Sequence, residues 1–240
     1  MRAIFKREAN HHLARRHQTP PATSEEARRS WKNFRGQRKK ATQNRCLHDE
    51  QYSLCAYSEI PVVDGTGRNQ GLGAHLDHIE PRSTNPGRTF DHTNLIVSAI
   101  DDEALGQLAR HDVFGGHARL EWWNPDAFIH PLRPDCARYF HYEASSGRVV
   151  PNANMPRRDR AKARLTIYKL NLNAAILVNW RRTWLAQKAE LIETLLDKPE
   201  ILKQLARQEL LPHEGILKSF HSAVSQLFGS IAEEILVEMG

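Results

Sequence analysis

The sequence has few cysteines and no long apolar run, and each shortage excludes a class of protein. The three cysteines, Cys46, Cys55 and Cys136, are widely spaced and odd in number, which argues against a disulfide framework and is typical of a reducing compartment. No apolar run approaches the roughly 20 residues that a transmembrane helix needs, and the first residues lack the apolar segment of a secretory signal. With 40% hydrophobic and 26% charged residues, the composition predicts a globular, cytoplasmic protein without a membrane partner.

Positive charge is concentrated at one end of the chain. Residues 1–45 contain 13 Lys/Arg against 3 Asp/Glu, a net charge of +10, whereas the whole chain carries only +6. A basic segment on a near-neutral body predicts a polyanionic partner, most simply nucleic acid. A solubilising or partner-docking arm is the alternative interpretation, because basic runs are common.

Composition and periodicity divide the chain into three regions. Residues 1–50 are predicted to be a basic N-terminal helical arm, residues 51–150 a central module, and residues 151–240 a helical region that supports the module or docks a partner. In the arm, Thr23 and Glu26 predict a capping box at the start of one helix that runs through residue 47. Three basic side chains surround the aromatic face of that helix and could contact a nucleic-acid backbone: Arg28, Arg35 and Lys39.

The central module has the order strand, long loop, strand, short helix. The segments "GAHLDHIEP" and "LIVSA" predict the two strands, and "GGHARLEWW" predicts the short helix. A hairpin is expected around residues 145–147. After residue 159 the pattern becomes helical, and one last helix near residues 214–238 is expected to present an apolar stripe, either to the core or to another subunit.

The first predicted strand carries a concentration of groups suited to phosphodiester chemistry. Because neighbouring residues of a strand face opposite sides, Asp77 can point toward a cation while His78 points toward a water molecule, if the strand bends there. A cation polarises the phosphate, and a base deprotonates the water. Asn94 can tie down the intervening loop through its side-chain amide, and His117 at the start of the short helix offers a further ligand.

This ordered set resembles the HNH endonuclease family. A closer resemblance rests on the run from "LCAYSE" through "HLDHIEPRSTNPGRTFDHTNLIVS" and "GGHARLEWW" to "SSGRVVP", together with "TIYKLNLN". These segments resemble the PtuB-type HNH proteins of Septu and retron-associated antiphage systems, over most of residues 25–182. The resemblance implies an α+β fold with a central ββα-metal module, flanked by an N-terminal helix and a C-terminal helical region. It also implies hydrolysis of nucleic-acid phosphodiester bonds with one Mg²⁺ or Mn²⁺.

The resemblance also implies roles for individual residues. His78 matches the general base, Asp77 and His117 match the metal ligands, and Asn94 matches the residue that orients the loop. Two basic residues are phosphate candidates, Arg119 and, with less support, Arg82. His75 matches a recurring histidine of the close relatives, and whether it binds metal or packs is left open.

One departure from the family concerns zinc. Many HNH proteins carry two Cys-x-x-Cys pairs around a structural zinc, but this chain pairs Cys55 with Ser58, and Ser98 and Asp101 occupy the second position. Serine is a poor zinc ligand because its hydroxyl stays protonated. A structural zinc is therefore not expected.

The resemblance extends to partners and leaves the substrate open. It implies a PtuA-like ATPase and, in a retron context, a retron reverse transcriptase with its RNA and DNA. DNA is the first expectation for the substrate, and structured RNA such as tRNA is the alternative. A catalytically inactive nucleic-acid-binding or assembly subunit is a further alternative, favoured by the loss of the zinc cysteines.

Overall fold

The computed structural model describes residues 1–62 and 71–237. Residues 63–70 of the predicted central module and residue 238, the end of the last predicted helix, lie outside the described residues. The described chain combines helices with two small antiparallel sheets, an α+β architecture as predicted. None of its described helices is both long and apolar enough to cross a bilayer.

The regular elements follow in this order along the chain: α1 His11–His17, α2 Ser24–Asn33, α3 Gln37–Asn44, a π-helical turn Arg45–Glu50, β1 Ala74–His78, β2 Leu95–Ala99, α4 Asp102–Gln107, α5 Gly116–Arg119, β3 Phe140–Tyr142, β4 Val149–Pro151, α6 Arg157–Lys169, α7 Ala175–Glu193, α8 Pro199–Leu210, α9 His221–Phe228 and α10 Ser230–Leu236. Short 3₁₀ turns lie at Pro86–Arg88, His92–Asn94, Arg110–Asp112 and Cys136–Tyr139.

The central sheet pairs β1 with β2 in antiparallel register, with Asp77 opposite Ile96 and His78 opposite Leu95. Every residue of β2 is buried, which explains its continuous apolar sequence. A loop of residues 79–94 joins the strands, and α5 follows downstream. The predicted strands, hairpin and short helix are all confirmed at these positions, the hairpin as β3 paired with β4.

The N-terminal arm differs from the single helix that was predicted. Thr23 and Glu26 form the expected capping box at the start of α2, but the helix ends at Asn33. Gly36 has a φ of +63°, a left-handed conformation that glycine adopts without a steric cost and that a continuous helix excludes. The π-helical turn then continues α3 toward the central sheet.

The last predicted helix is also divided. Gly229, with a φ of +54°, separates α9 from α10. The apolar stripe points inward, because Leu217, Phe220, Val224 and Ile235 are buried. The interpretation of the stripe as internal core is therefore confirmed for these residues. The helices α8, α9 and α10 pack on one another, and α6 packs against β4.

Candidate functional site

The two faces of β1 carry different groups. His75 and Asp77 lie on the face toward α5, where the ring centroids of His75 and His117 are 4.1 Å apart. His78 lies on the opposite face, under α2, with its ring centroid 4.4 Å from that of Trp31. The alternation of side chains along a strand produces this separation. We call His75, Asp77 and His117 the β1–α5 cluster.

Two glycines let α5 approach β1 closely. Gly115 has a φ of +70°, and a side chain there would lie 2.6 Å from Ser98 Oγ. A methyl group on Gly116 would lie 2.8 Å from Asp77 Oδ2 and 2.9 Å from His75 Nε2. These two atoms therefore face the same small space beside the start of α5, directly before His117.

Asp77 is held as a carboxylate. Its Oδ2 accepts a hydrogen bond of 2.7 Å from the Tyr57 hydroxyl, and Arg119 Nη2 lies 3.2 Å from the same oxygen. Burial by itself raises the pKa of Asp77, but the charge of Arg119, with smaller contributions from His75 and Tyr57, outweighs burial and lowers the pKa below its usual value. Asp77 is thus anionic at neutral pH, which a metal ligand requires.

Among the described residues, each histidine of the β1–α5 cluster has one ring nitrogen without a hydrogen-bond partner. His75 Nδ1 lies 2.6 Å from the carbonyl oxygen of Ile100, and because a carbonyl only accepts, Nδ1 carries the proton and Nε2 carries the lone pair in neutral His75. His117 Nε2 is buried and has no hydrogen-bond partner. Burial, and then the proximity of His75, lower the pKa of His117. Both rings therefore suit coordination of a cation.

His78 is neutral and has one nitrogen available as a base. Its Nε2 donates to the carbonyl oxygen of Thr89 over 3.0 Å, so the lone pair is on Nδ1. Burial, and then the charge of Arg82, lower the pKa of His78 to about 3. The side chain is only 6% exposed because Trp31 covers it. The sequence predicted the base but gave no sign of this cover.

Asn94 connects the two ends of the loop of residues 79–94. Its Oδ1 accepts from the Glu80 amide at 2.8 Å, and its Nδ2 donates to the carbonyl oxygens of Glu80 at 3.0 Å and Arg88 at 3.2 Å. Both hydrogen-bonding ends of the amide are used, which fixes the chain directly after His78. The side chain is fully buried, so it positions the loop and does not face solvent.

Arg119 was expected to contact a phosphate, but its guanidinium lies inside the protein. It is 2% exposed, and its guanidinium donates to Ile79 O at 3.0 Å, Trp122 O at 2.8 Å and His78 O at 2.6 Å in addition to Asp77. A guanidinium with these partners inside the protein is not free to bind a phosphate. Arg119 instead joins β1 to α5, which corrects the expected role.

The other basic candidates lie around Trp31, on the outer side of His78. The guanidinium carbon of Arg82 and the ammonium of Lys39 lie 5.5 and 5.7 Å from the centre of the Trp31 ring. Arg28 and Arg82 line a small pocket of about 340 Å³ between α2 and the loop. Arg35 is exposed. Arg82 and Lys39 thus lie on the Trp31 side of His78.

The positions that the HNH resemblance would assign to zinc cysteines have other contacts here. Cys55 Sγ accepts from the Ala99 amide at 3.2 Å, and Ser98 Oγ accepts from the Gly116 amide at 3.1 Å. Asp101 caps α4 by accepting from the amide of Ala104 at 2.8 Å. Hydrogen bonds at these positions fasten β2 to α5.

A second group of metal-ligand residue types was not predicted. Cys46, Glu50 and His92 have ligand atoms within 4.8 Å of one another, and all three are buried. The Lys6 ammonium lies among them, against the Glu50 carboxylate and 3.6 Å from Cys46 Sγ. We call these four residues the Lys6 cluster. The only sequence signal was the four-residue spacing of Cys46 and Glu50, since Lys6 and His92 are about 40 residues from Glu50 on either side.

The Lys6 cluster and the β1–α5 cluster differ in how close their ligand atoms are to one another. Among the described residues, the β1–α5 cluster does not bring three ligand atoms within 4.8 Å of one another, so a cation there would take some of its ligands from water or phosphate oxygens. Searches of the known protein families and of the curated proteins give no match to this chain.

Proposed function

We propose that this protein is a metal-dependent HNH-type endonuclease that hydrolyses phosphodiester bonds of nucleic acid. The observation that carries the proposal is the arrangement around β1: the carboxylate of Asp77 and the imidazole of His117 lie on one side of the strand, and neutral His78 follows at the next position. The order of these groups agrees with the HNH resemblance. The cation is expected to be Mg²⁺ or Mn²⁺.

The residues present fit such a cation. His117 Nε2 is a buried nitrogen without a partner, and Asp77 Oδ2 and His75 Nε2 face one space beside Gly116. Asp77 and His117 would hold the cation, with His75 as an additional ligand. A mixed set of carboxylate and imidazole suits Mn²⁺ at least as well as Mg²⁺. When bound, the cation would polarise the phosphate and stabilise the leaving oxygen.

The protein's own residues supply the remaining steps. Once α2 has moved off His78, its Nδ1 would take a proton from the attacking water, and the bond from Nε2 to Thr89 fixes the ring orientation. Asn94 holds the chain that follows His78. Arg119 keeps Asp77 ionised and joins it to α5, although it also offsets part of the charge that a cation would use. We therefore expect metal binding to strengthen when a phosphate is present.

The proposal is tested by cleavage assays with the whole chain. Supercoiled DNA and a structured RNA such as tRNA are incubated with Mg²⁺, with Mn²⁺ and with EDTA. We expect cleavage that requires the cation and that falls about 10³-fold in His78→Ala and in His117→Ala. The exposed His141→Ala is the matched control and should cleave as the wild type does. Cation-dependent cleavage that persists in both active-site variants would rule out this mechanism.

The cover over His78 favours a second candidate, a nucleic-acid-binding or assembly subunit without catalysis. Trp31 closes the base from solvent, so cleavage requires α2 to shift. If the wild type binds nucleic acid but cleaves none, even with Trp31→Ala to uncover His78, the second candidate is correct. If Trp31→Ala increases cleavage, α2 restrains an active nuclease.

A role in antiphage defence belongs to the same proposal. A nuclease that acts in a living cell has to be restrained, and a PtuA-like ATPase, with or without a retron reverse transcriptase, is the partner that the resemblance implies. The basic exposed surfaces of the chain support contact with nucleic acid. Co-purification with the product of an adjacent ATPase gene tests the partnership, and a chain that purifies alone from its native host would contradict it.

A further inference from the structure

A cleft of about 920 Å³ opens at His117. It is bordered by α5, β4 and α6. Of the described residues that line it, four are basic and none is acidic; the basic ones are Arg110, Arg148, Arg164 and Lys169. A concave surface with charge of one sign concentrates ligands of the opposite sign.

The charges of this cleft have no counter-ions within the described protein. Arg110, Arg148 and Arg164 are exposed and form no ion pair with any described residue. Elsewhere in the described chain, arginines such as Arg88 and Arg133 pair with neighbouring carboxylates. Three unpaired guanidiniums around one cleft are therefore available to an anion from outside.

An exposed aromatic ring stands in the same cleft. Tyr168 of α6 is 75% exposed, and the Lys169 ammonium lies 5.9 Å from its ring centre and 5.6 Å from that of Trp122. Arg160, Arg164 and Tyr168 are spaced four residues apart on α6, so they lie on one face of the helix. Basic groups interleaved with exposed aromatic rings are typical of surfaces that bind single-stranded nucleic acid, where bases stack on the rings.

We propose that this cleft binds a single-stranded segment of the nucleic-acid substrate, which rests on the proposed nuclease function. Phosphates contact Arg110, Arg148 and Arg164, and a base stacks on Tyr168. The strand then runs to His117, and so to the β1–α5 cluster. The volume is that of a site for a few linked nucleotides and is too small to enclose a duplex. The basic arm, around Trp31, lies on the other side of β1.

The test is a binding measurement in EDTA, so that no cleavage occurs. Fluorescence anisotropy of short single-stranded DNA and RNA probes is compared with that of a duplex of the same sequence. We expect Arg164→Glu and Tyr168→Ala each to weaken single-strand binding about tenfold while leaving duplex binding unchanged. Each phosphate contact removed should lower the salt-dependence slope by about 0.7.

Matched controls are available in the chain. Lys198→Glu makes the same charge change at an exposed position between α7 and α8, and Phe5→Ala removes an aromatic side chain that is 70% exposed. Both should bind as the wild type does. Equal losses in the control and cleft variants, or unchanged binding by Arg164→Glu and Tyr168→Ala, would overturn the assignment of the cleft.

The outcome separates this inference from the proposed function. If the cleft variants bind weakly but the wild type never cleaves with any cation, the cleft assignment stands and the nuclease proposal fails. If the wild type cleaves in a cation-dependent way and the cleft variants both bind and cleave normally, the nuclease proposal stands and the cleft assignment fails.

Discussion

Two clusters in this protein combine histidine with a carboxylate, and they differ in what occupies the space between the groups. In the Lys6 cluster, the Glu50 carboxylate contacts the Lys6 ammonium, His92 Nε2 at 2.6 Å and the Arg7 amide at 2.9 Å. In the β1–α5 cluster, Arg119 Nη2 lies 3.3 and 3.2 Å from the two oxygens of Asp77, Tyr57 donates to Oδ2, and His117 Nε2 remains without a partner.

Residue types alone do not decide which cluster suits a metal. In both clusters a basic side chain already contacts the carboxylate, Lys6 at Glu50 and Arg119 at Asp77, but in the Lys6 cluster burial also raises the pKa of Cys46 to about 12, so its thiol is neutral. The β1–α5 cluster is looser and only partly buried. A catalytic cation needs an open position for water and substrate; a cation at the partly buried β1–α5 cluster would have one, and a cation among the buried residues of the Lys6 cluster would not.

The largest expected effect concerns folding stability. Glu50→Ala leaves the Lys6 ammonium and His92 without their carboxylate inside the protein, and we expect a loss of about 3 kcal/mol in the free energy of unfolding. His117→Ala removes a ring whose Nε2 has no partner and should cost less than about 1 kcal/mol. Denaturant unfolding measures both.

Glu25→Ala, which breaks an exposed pair with Arg29, is the control and should change stability by less than about 0.5 kcal/mol. Similar costs for Glu50→Ala and His117→Ala would remove the distinction between the clusters.

The next effect concerns the position of α5. Gly116→Ala places a methyl group 2.8 Å from Asp77 Oδ2, so α5 has to move away from β1. A displacement of this size is expected to lower cleavage about 10²-fold, with little change in secondary structure by circular dichroism. Gly106→Ala, in α4 with no atom within 4 Å of the added group, should cleave as the wild type does. A fully active Gly116→Ala would show that the approach of α5 is not needed.

A smaller effect is expected when metal is added. At ten times its Kd, Mn²⁺ should stabilise the folded protein by about 1.4 kcal/mol, seen as a rise in Tm. The wild type and Cys46→Ser should both respond, and His117→Ala should not. A response that is lost in Cys46→Ser and kept in His117→Ala would assign the metal to the Lys6 cluster and reverse the comparison.

The smallest effect is the pH dependence of the Lys6 cluster. Burial alone raises the pKa of Glu50, but the hydrogen bond from His92 and the charge of Lys6 outweigh burial and lower the pKa below 4.5. Because the folded pKa is the lower one, the stabilisation is complete above about pH 4.5 and is lost as the pH falls through the folded pKa. Unfolding is measured from about pH 6 to about pH 3, a range that includes the usual pKa of a carboxyl group. Over this range the wild type should lose stability more steeply than Glu50→Gln. Parallel curves would mean that Glu50 has the same proton affinity in both states.

Local patterns in the sequence predicted most of the elements around the candidate site. The apolar run of β2, the alternation along β1 and the capping box of α2 depend on residues near one another in the chain, and all three are present. The helix breaks at Gly36 and Gly229 were missed because glycine is tolerated inside helices as well as at their ends. Whether a glycine ends a helix depends on whether the flanking segments pack better as one helix or as two.

The packing around the site could not be predicted in the same way. A basic residue at the end of a short helix fits a phosphate contact or an internal ion pair equally well, and Arg119 forms the ion pair. Trp31 covers His78, although the two residues are 47 positions apart in the sequence. The cleft beside His117 is formed by α5, β4 and α6 together, so no single segment contains its pattern.

Which side chains share a face of β1 follows from the local sequence, because a strand alternates its side chains whatever surrounds it. Asn94 and His117 follow Asp77 and His78 in the order that the HNH resemblance predicts. Which charges are used internally and which remain free is settled by packing, because that depends on the distances between elements far apart in sequence. Arg119 and Lys6 were enclosed next to carboxylates, whereas Arg148 and Arg164 were left open beside the cleft.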